Sequence, residues 1–237
     1  MSELFPDGEG IFETIKVIDG KCSFINEHLS RAQRSALILG MDFLKRDALL
    51  QRIEANIASH QIASGEGRLR ISFSKFGEVE ESYSPYVKWN RPAQILTSDW
   101  LVDESSLIVG LKALPFRSHL AAIERARLGG FDEIVRFNTA GFLCEGATAN
   151  LLVRINGSWF TPDLSSGCLP GIIRAFSIRH LEVQERSISR DEFNRCEAIF
   201  LTSSLREIQP VARVDERALE IDEPFLRKAE QELASFR

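Results

Sequence analysis

GFDEIVRFNTAGFLCEGATANLLVRI, residues 130–155, carries three short apolar runs, DEIVRFN, GFLCE and ANLLVRI, separated by glycines and small polar residues. Runs too short for helices and bounded by turn formers read as successive strands of a sheet. The pattern recurs on both sides of this stretch, at AQILTSDW (93–100), SSLIVGL (105–111), SWFTP (158–162) and AIFLTSS (198–204). Helical patterns interrupt it at about 117–128 and 171–180, and a last helix is expected near 224–235. Many strands with few helices predict a sheet-rich, barrel-like domain.

Ahead of this region the chain reads as α/β. IFETIKVI, Asp19-Gly20 and KCSFI form a strand, a tight turn and a strand, because Asp-Gly between alternating apolar residues favours a two-residue hairpin. NEHLSRAQRSALILG (26–40) then sets Leu29, Ala32, Ala36 and Leu37 on one helical face, with Asn26 as the expected N-cap and Gly40 just past the end. A second helical pattern spans Leu44 to Ile62, and strands follow at RLRISFS (68–74) and near EESYSPYVKW (80–89). The expected class is α/β (α+β): a small α/β domain over 1–88, a linker at 89–92 around Asn90–Pro92, and a larger domain over 93–237.

Composition narrows the function. Hydrophobic residues are 44% and charged residues 27%, the balance of a globular protein rather than a disordered one. The net charge of −5 gives no general attraction for phosphate backbones, so no nucleic-acid partner is expected. No stretch approaches the ~20 apolar residues of a membrane span, and the acidic start MSELFPDGEG lacks an export profile. A cytoplasmic protein is the expectation. Cys22, Cys144, Cys168 and Cys196 are far apart, without a C-x-x-C or a nearby His, so neither a disulfide framework nor a metal site is expected.

Several residues carry candidate chemistry. Lys112 follows the apolar run LIVGL, and Glu145 ends a strand. Pro170-Gly171 opens a helix at Ile172 and Ile173, whose first amides point outward. Thr202-Ser203-Ser204 closes a strand with three hydroxyls, and Arg31 lies one helical turn from His28. Each alone also reads as an ordinary surface or strand-end residue. Together they are the parts for binding pyridoxal phosphate: an amine for its aldehyde, a carboxylate for its ring nitrogen, and donors for its phosphate.

Six motifs in order carry a resemblance: DGEGIFETIKVIDGK (7–21), HLSRAQRSA (28–36), LKALPFR (111–117), the stretch 130–153, WFTPDLSSGCLPGIIR (159–174) and LTSSLREIQPV (201–211). With them the chain resembles the fold-type IV pyridoxal-phosphate enzymes, the class IV aminotransferase family. The resemblance implies a D-amino acid aminotransferase-like fold, with a small α/β domain, a larger pseudobarrel domain carrying the cofactor lysine, and a homodimer. It implies that Lys112 bonds the cofactor and moves the proton, and that Glu145 pairs with the ring nitrogen. Asn150 falls on the family's asparagine, while Arg31, Ile172, Ile173, Ser203 and Ser204 fall where the phosphate is held.

The family runs two chemistries on a small amino substrate. One is aminotransfer, as with branched-chain or D-amino acids. The other is conversion of 4-amino-4-deoxychorismate to 4-aminobenzoate and pyruvate, a step of folate biosynthesis. Thr14 matches the lyases' threonine, where branched-chain enzymes tend to have glycine and D-amino acid enzymes valine. Strand alternation sets Phe12 and Thr14 on one side and Glu13 on the other. Phe12 replaces the tyrosine of D-amino acid aminotransferases, and Arg70 lies where some relatives anchor a substrate carboxylate. The lyase is the preferred expectation, an aminotransferase the alternative, and a non-catalytic ligand-binding relative the remote one.

Overall fold

The computed structural model describes residues 10–60, 64–114 and 116–236. Asp7–Glu9 and Pro115 of the motifs, and Ile62 of the second helical pattern, lie outside the described residues. In chain order the first elements are β1 (Gly10–Ile18), β2 (Lys21–Cys22), α1 (Ile25–Ile38), α2 (Arg46–Ser59), β3 (Glu66–Ser74) and β4 (Val79–Pro85). Next come β5 (Ala93–Thr97), β6 (Ala113–Leu114), α3 (Arg117–Leu128), β7 (Glu133–Phe137), β8 (Leu143–Gly146), β9 (Asn150–Ile155) and β10 (Ser158–Pro162). The last are α4 (Ile172–His180), β11 (Gln184–Arg186), α5 (Arg190–Asn194), β12 (Ala198–Ser203), β13 (Glu207–Val214), β14 (Arg217–Ala218) and α6 (Glu223–Ser235).

The chain divides into two compact units: the described residues of Met1–Lys88 with Leu111–Phe116, and Trp89–Gly110 with Arg117–Arg237. This differs from a single cut at 89–92. Lys112, expected in the larger domain, belongs to the first unit because β6 pairs with β1, Gly10 opposite Leu114 and Ile11 opposite Ala113.

In the first unit β2-β1-β3-β4 form an antiparallel sheet, with β6 on β1. Asp19 and Gly20 both have positive φ, 48° and 75°, as a turn that matches strand twist requires. Ile11, Ile15 and Val17 of β1 and Leu69, Ile71 and Phe73 of β3 pack against Leu29, Ala32 and Ala36 of α1 and Leu49, Ile53 and Ile57 of α2. The even-numbered residues of β1 face the other way. Asn26 does not cap α1: the helix starts a residue earlier, behind Phe24 in the left-handed region at φ 52°. The Asn26 side chain instead accepts a hydrogen bond from Arg46 Nη2 at 2.7 Å.

In the second unit the order is β11-β10-β9-β12-β13-β5-β7-β8, with β14 on β13. Inward residues from β5 (Ile95), β7 (Val135, Phe137), β8 (Leu143), β9 (Leu151, Val153), β12 (Ile199, Leu201) and β13 (Val211) meet in one core. Strands so far apart in a sheet share a core only if the sheet curls, which gives the half-barrel. Residues 105–111 are not a strand. Asp103 accepts hydrogen bonds from the Ser105 amide and hydroxyl, turning the chain, and Gly110 takes φ +71°. β13, which the sequence reading does not include among the strands, carries Pro210 between two neighbouring strands. The register shift against β5 between Val211 and Arg213 lies beside that proline, the irregularity at which strands tolerate it.

Candidate active site

β1 points Glu13 to the same side as its core residues Ile11 and Ile15, so a carboxylate 1% exposed needs partners there. α1 supplies them one turn apart. Arg31 donates from Nε to Oε1 at 2.9 Å and from Nη2 to Oε2 at 2.6 Å, and His28 Nδ1 stands 2.7 Å from Oε2. Burial pushes the Glu13 carboxyl up, but Arg31 and His28 outweigh it and hold the pKa at about 2. His28 is lowered by burial, helped by the charges of Arg31 and Lys112 and opposed by Glu13. Arg31 is thus fixed as a buried fork, two of its three nitrogens turned to Glu13.

The opposite face of the same strands gathers Phe12, Thr14, Arg70 and Lys112. Thr14 is directly across from Arg70, whose guanidinium carbon lies 4.0 Å from the centroid of the Phe12 ring. Lys112 Nζ is 4.5 Å from the same centroid, and its carbonyl accepts the Phe12 amide at 2.9 Å. Phe116 stacks edge-on against Phe12 at 5.0 Å. Burial lowers the Arg70 pKa and neighbouring Arg68 lowers it further, against Glu80.

In the second unit Glu145 Oε2 accepts the Leu169 amide at 2.9 Å, while Asn150 Nδ2 donates to the Leu169 carbonyl at 2.9 Å. The backbone of Leu169 is therefore held on both sides of its Cα, just before Pro170-Gly171 leads into α4. A Cβ at Gly171 would stand 1.9 Å from Asn150 Oδ1, so any side chain there would force Asn150 to move. Gly171 is the N-cap of α4 and brings no side chain to its first amides. The helix start at Ile172 and Ile173 therefore presents main-chain N–H groups and the positive end of the helix dipole.

Strand alternation divides the hydroxyls at the end of β12. Thr202 is opposite Asn150, whereas Ser203 falls on the side of Leu201 and its Oγ accepts the Arg206 amide at 3.2 Å. Ser204 lies just beyond the strand. Two buried groups were missed from sequence. Glu133 accepts hydrogen bonds from the Ile134 and Ala147 amides and the Thr148 hydroxyl, with Arg206 Nη2 at 3.2 Å, and so pins the turn between Glu145 and Asn150. Arg136 pairs with Glu145 at 2.9 Å. Their only sequence signal is a charge inside an apolar strand. The four cysteines are free thiols, and burial pushes Cys22 and Cys168 up to about 12, away from nucleophile behaviour.

Within the second unit, a carboxylate held in place beside an uncapped helix start suits the ring and the phosphate of a phosphorylated coenzyme, and within the first unit a lysine amine on an aromatic face suits an aldehyde. The chain belongs to amino-transferase class IV, whose family model matches residues 10–214. It is a pyridoxal-phosphate-dependent enzyme. It is 33% identical over 247 residues to the branched-chain-amino-acid aminotransferase of Escherichia coli (strain K12), covering 91% of this chain and 79% of that one. Among solved structures it is similar to one from Legionella pneumophila named "Putative 4-amino-4-deoxychorismate lyase", with TM-score 0.90, 28% identity, and 97% and 92% of the two chains covered. A fold IV transaminase from Curtobacterium pusillum matches with TM-score 0.84 and 26% identity over 97% of this chain and 88% of that one. Among the described residues no helix is long and apolar enough to cross a membrane.

Proposed function

We propose that the protein converts 4-amino-4-deoxychorismate to 4-aminobenzoate and pyruvate, acting in folate biosynthesis as a cytoplasmic homodimer. The observation that carries this reading is the threonine hydroxyl at residue 14, on the face that holds Lys112 and directly across from Arg70. Bound pyridoxal phosphate supplies an electron sink for the carbon that bears the substrate amine. Lys112 would hold the coenzyme through its aldehyde and, with its amine set free by the substrate's amine, would take the proton from that carbon. Thr14 gives a proton to the departing enolpyruvyl oxygen, and Arg70, half-buried over Phe12, holds a substrate carboxylate. Glu145 would pair with the ring nitrogen, with Asn150 aligning the turn beside it. Arg31, the amides of Ile172 and Ile173, Ser203 and Ser204 would hold the phosphate. The fit of a phosphate rests on the α4 start, whose N-cap Gly171 makes no side-chain cap to the first amides of the helix.

The similarity to the Legionella structure supports the lyase reading. A second reading is aminotransfer from a branched-chain amino acid to a 2-oxo acid, favoured by the identity to the Escherichia coli enzyme. Purified protein incubated with 4-amino-4-deoxychorismate alone is expected to release 4-aminobenzoate and pyruvate in equal amounts. No 4-aminobenzoate, together with turnover of branched-chain amino acids that requires 2-oxoglutarate, overturns the lyase reading in favour of the second.

A further inference from the structure

Arg136 has no part in the chemistry above, yet it is paired with Glu145, the carboxylate assigned to the ring nitrogen. It stands on β7 directly opposite Glu145 on β8. Its Nη2 donates to Glu145 Oε1 at 2.9 Å and reaches the Gly146 carbonyl at 3.3 Å. The guanidinium carbon lies 4.5 Å from the centroid of the Trp100 ring. The two side chains are 5% and 15% exposed. The neighbours of Arg136 on its strand, Ile134, Val135 and Phe137, are all buried and apolar.

A buried ion pair is a poor device for stability, since apolar residues of the same volume often serve as well or better. Its presence here needs another reason. A carboxylate only 15% exposed keeps its charge more readily when a cation or donors hold it. The Leu169 amide supplies one donor, and Arg136 supplies the charge. A group held by Glu145 is necessarily farther from the cation than the carboxylate that holds it. The cation therefore favours the ionised carboxylate more than it opposes a positive charge beyond it. A proton shared between Glu145 and a ring nitrogen is driven onto the nitrogen.

We infer that Arg136 is a positioning residue that keeps Glu145 ionised toward the ring nitrogen of a bound coenzyme, so that the shared proton rests on that nitrogen. The inference rests on the reading of Glu145 as the ring-nitrogen partner. The test loads the full-length protein with pyridoxal phosphate labelled at the ring nitrogen and reads that nitrogen's NMR shift at neutral pH. Wild type and R136K, which keeps the charge, are expected to show a protonated nitrogen. R136M, and R136Q, which keeps donors without charge, are expected to move the proton toward the carboxylate by at least about tenfold, with the signal moving toward that of unprotonated pyridine. An unchanged signal in R136M and R136Q overturns the inference. So does a wild-type signal that titrates at the same pH as free coenzyme, whether or not any variant folds. Wild-type protein that takes up no pyridoxal phosphate overturns the reading of the whole site. A loaded wild type with unmoved variants overturns this inference alone.

Discussion

Replacing Glu13 by glutamine keeps the shape of the side chain and removes the one negative charge shared by Arg31 and His28. Two routes give the size of the effect. Lowering a carboxyl from 4.5 to about 2 corresponds to about 3 kcal/mol of native-state stabilisation, and deleting one partner of a buried ion pair costs about 3–5 kcal/mol. The expected loss at neutral pH is therefore about 3 kcal/mol. Its sign with pH follows from the depressed native value. The stabilisation is complete above the unfolded carboxyl's 4.5 and is lost as pH falls toward the native value of about 2. The gap between wild type and E13Q should be wide at neutral pH and mostly closed near about pH 2. All three tryptophans, at 89, 100 and 159, lie in the second unit, so their fluorescence is the wrong probe. Amide hydrogen exchange of β1 and β3 under mild urea reads the first unit directly. A gap equally wide at both pH values, or none at neutral pH, refutes the assignment of Glu13 as the ionised anchor of Arg31.

Three further outcomes follow from the geometry. Gly171→Ala sets a methyl against the Asn150 carbonyl oxygen and should weaken pyridoxal phosphate at least about tenfold in a spectrophotometric titration, while pyridoxal without the phosphate loses less. Arg70→Ala should lower kcat/KM for the substrate by about 1.5–3 kcal/mol, mainly through KM, with the coenzyme spectrum unchanged; a normal KM removes Arg70 from the substrate site. Thr14→Val, which keeps the strand and removes the hydroxyl, should slow 4-aminobenzoate release about a hundredfold without loss of coenzyme, and unaltered release shows that Thr14 is not the proton donor.

Much of this arrangement was legible in the chain. The Asp19-Gly20 turn demanded two left-handed residues and therefore a hairpin, and period-two alternation separated Phe12 and Thr14 from Glu13. Local signals failed where a distant group decided the outcome. Asn26 is a good N-cap by type, but Arg46, twenty residues on, claims its side chain. Pro210 lies within β13, and the partner strand β5, more than a hundred residues earlier, supplies the irregular register beside it. At LIVGL the deciding group is local instead, the Asp103 carboxylate that turns the backbone just before the run. Arg136 and Glu133 were invisible because a charge within an apolar run acquires meaning only when its cross-strand neighbour is known. Lys112 was found by motif, but its place in the first unit depends on a two-residue strand that no periodicity reveals.

The doubly held backbone of Leu169 bears on how such a molecule can change. The carboxylate at 145 takes its N–H and the amide at 150 its C=O, so replacing either side chain in evolution leaves a backbone group of the turn before α4 without that partner. Variation is channelled instead to the strand face of Phe12, Thr14 and Arg70, where no comparable clamp operates. A new substrate can be accommodated there by altering side chains one at a time.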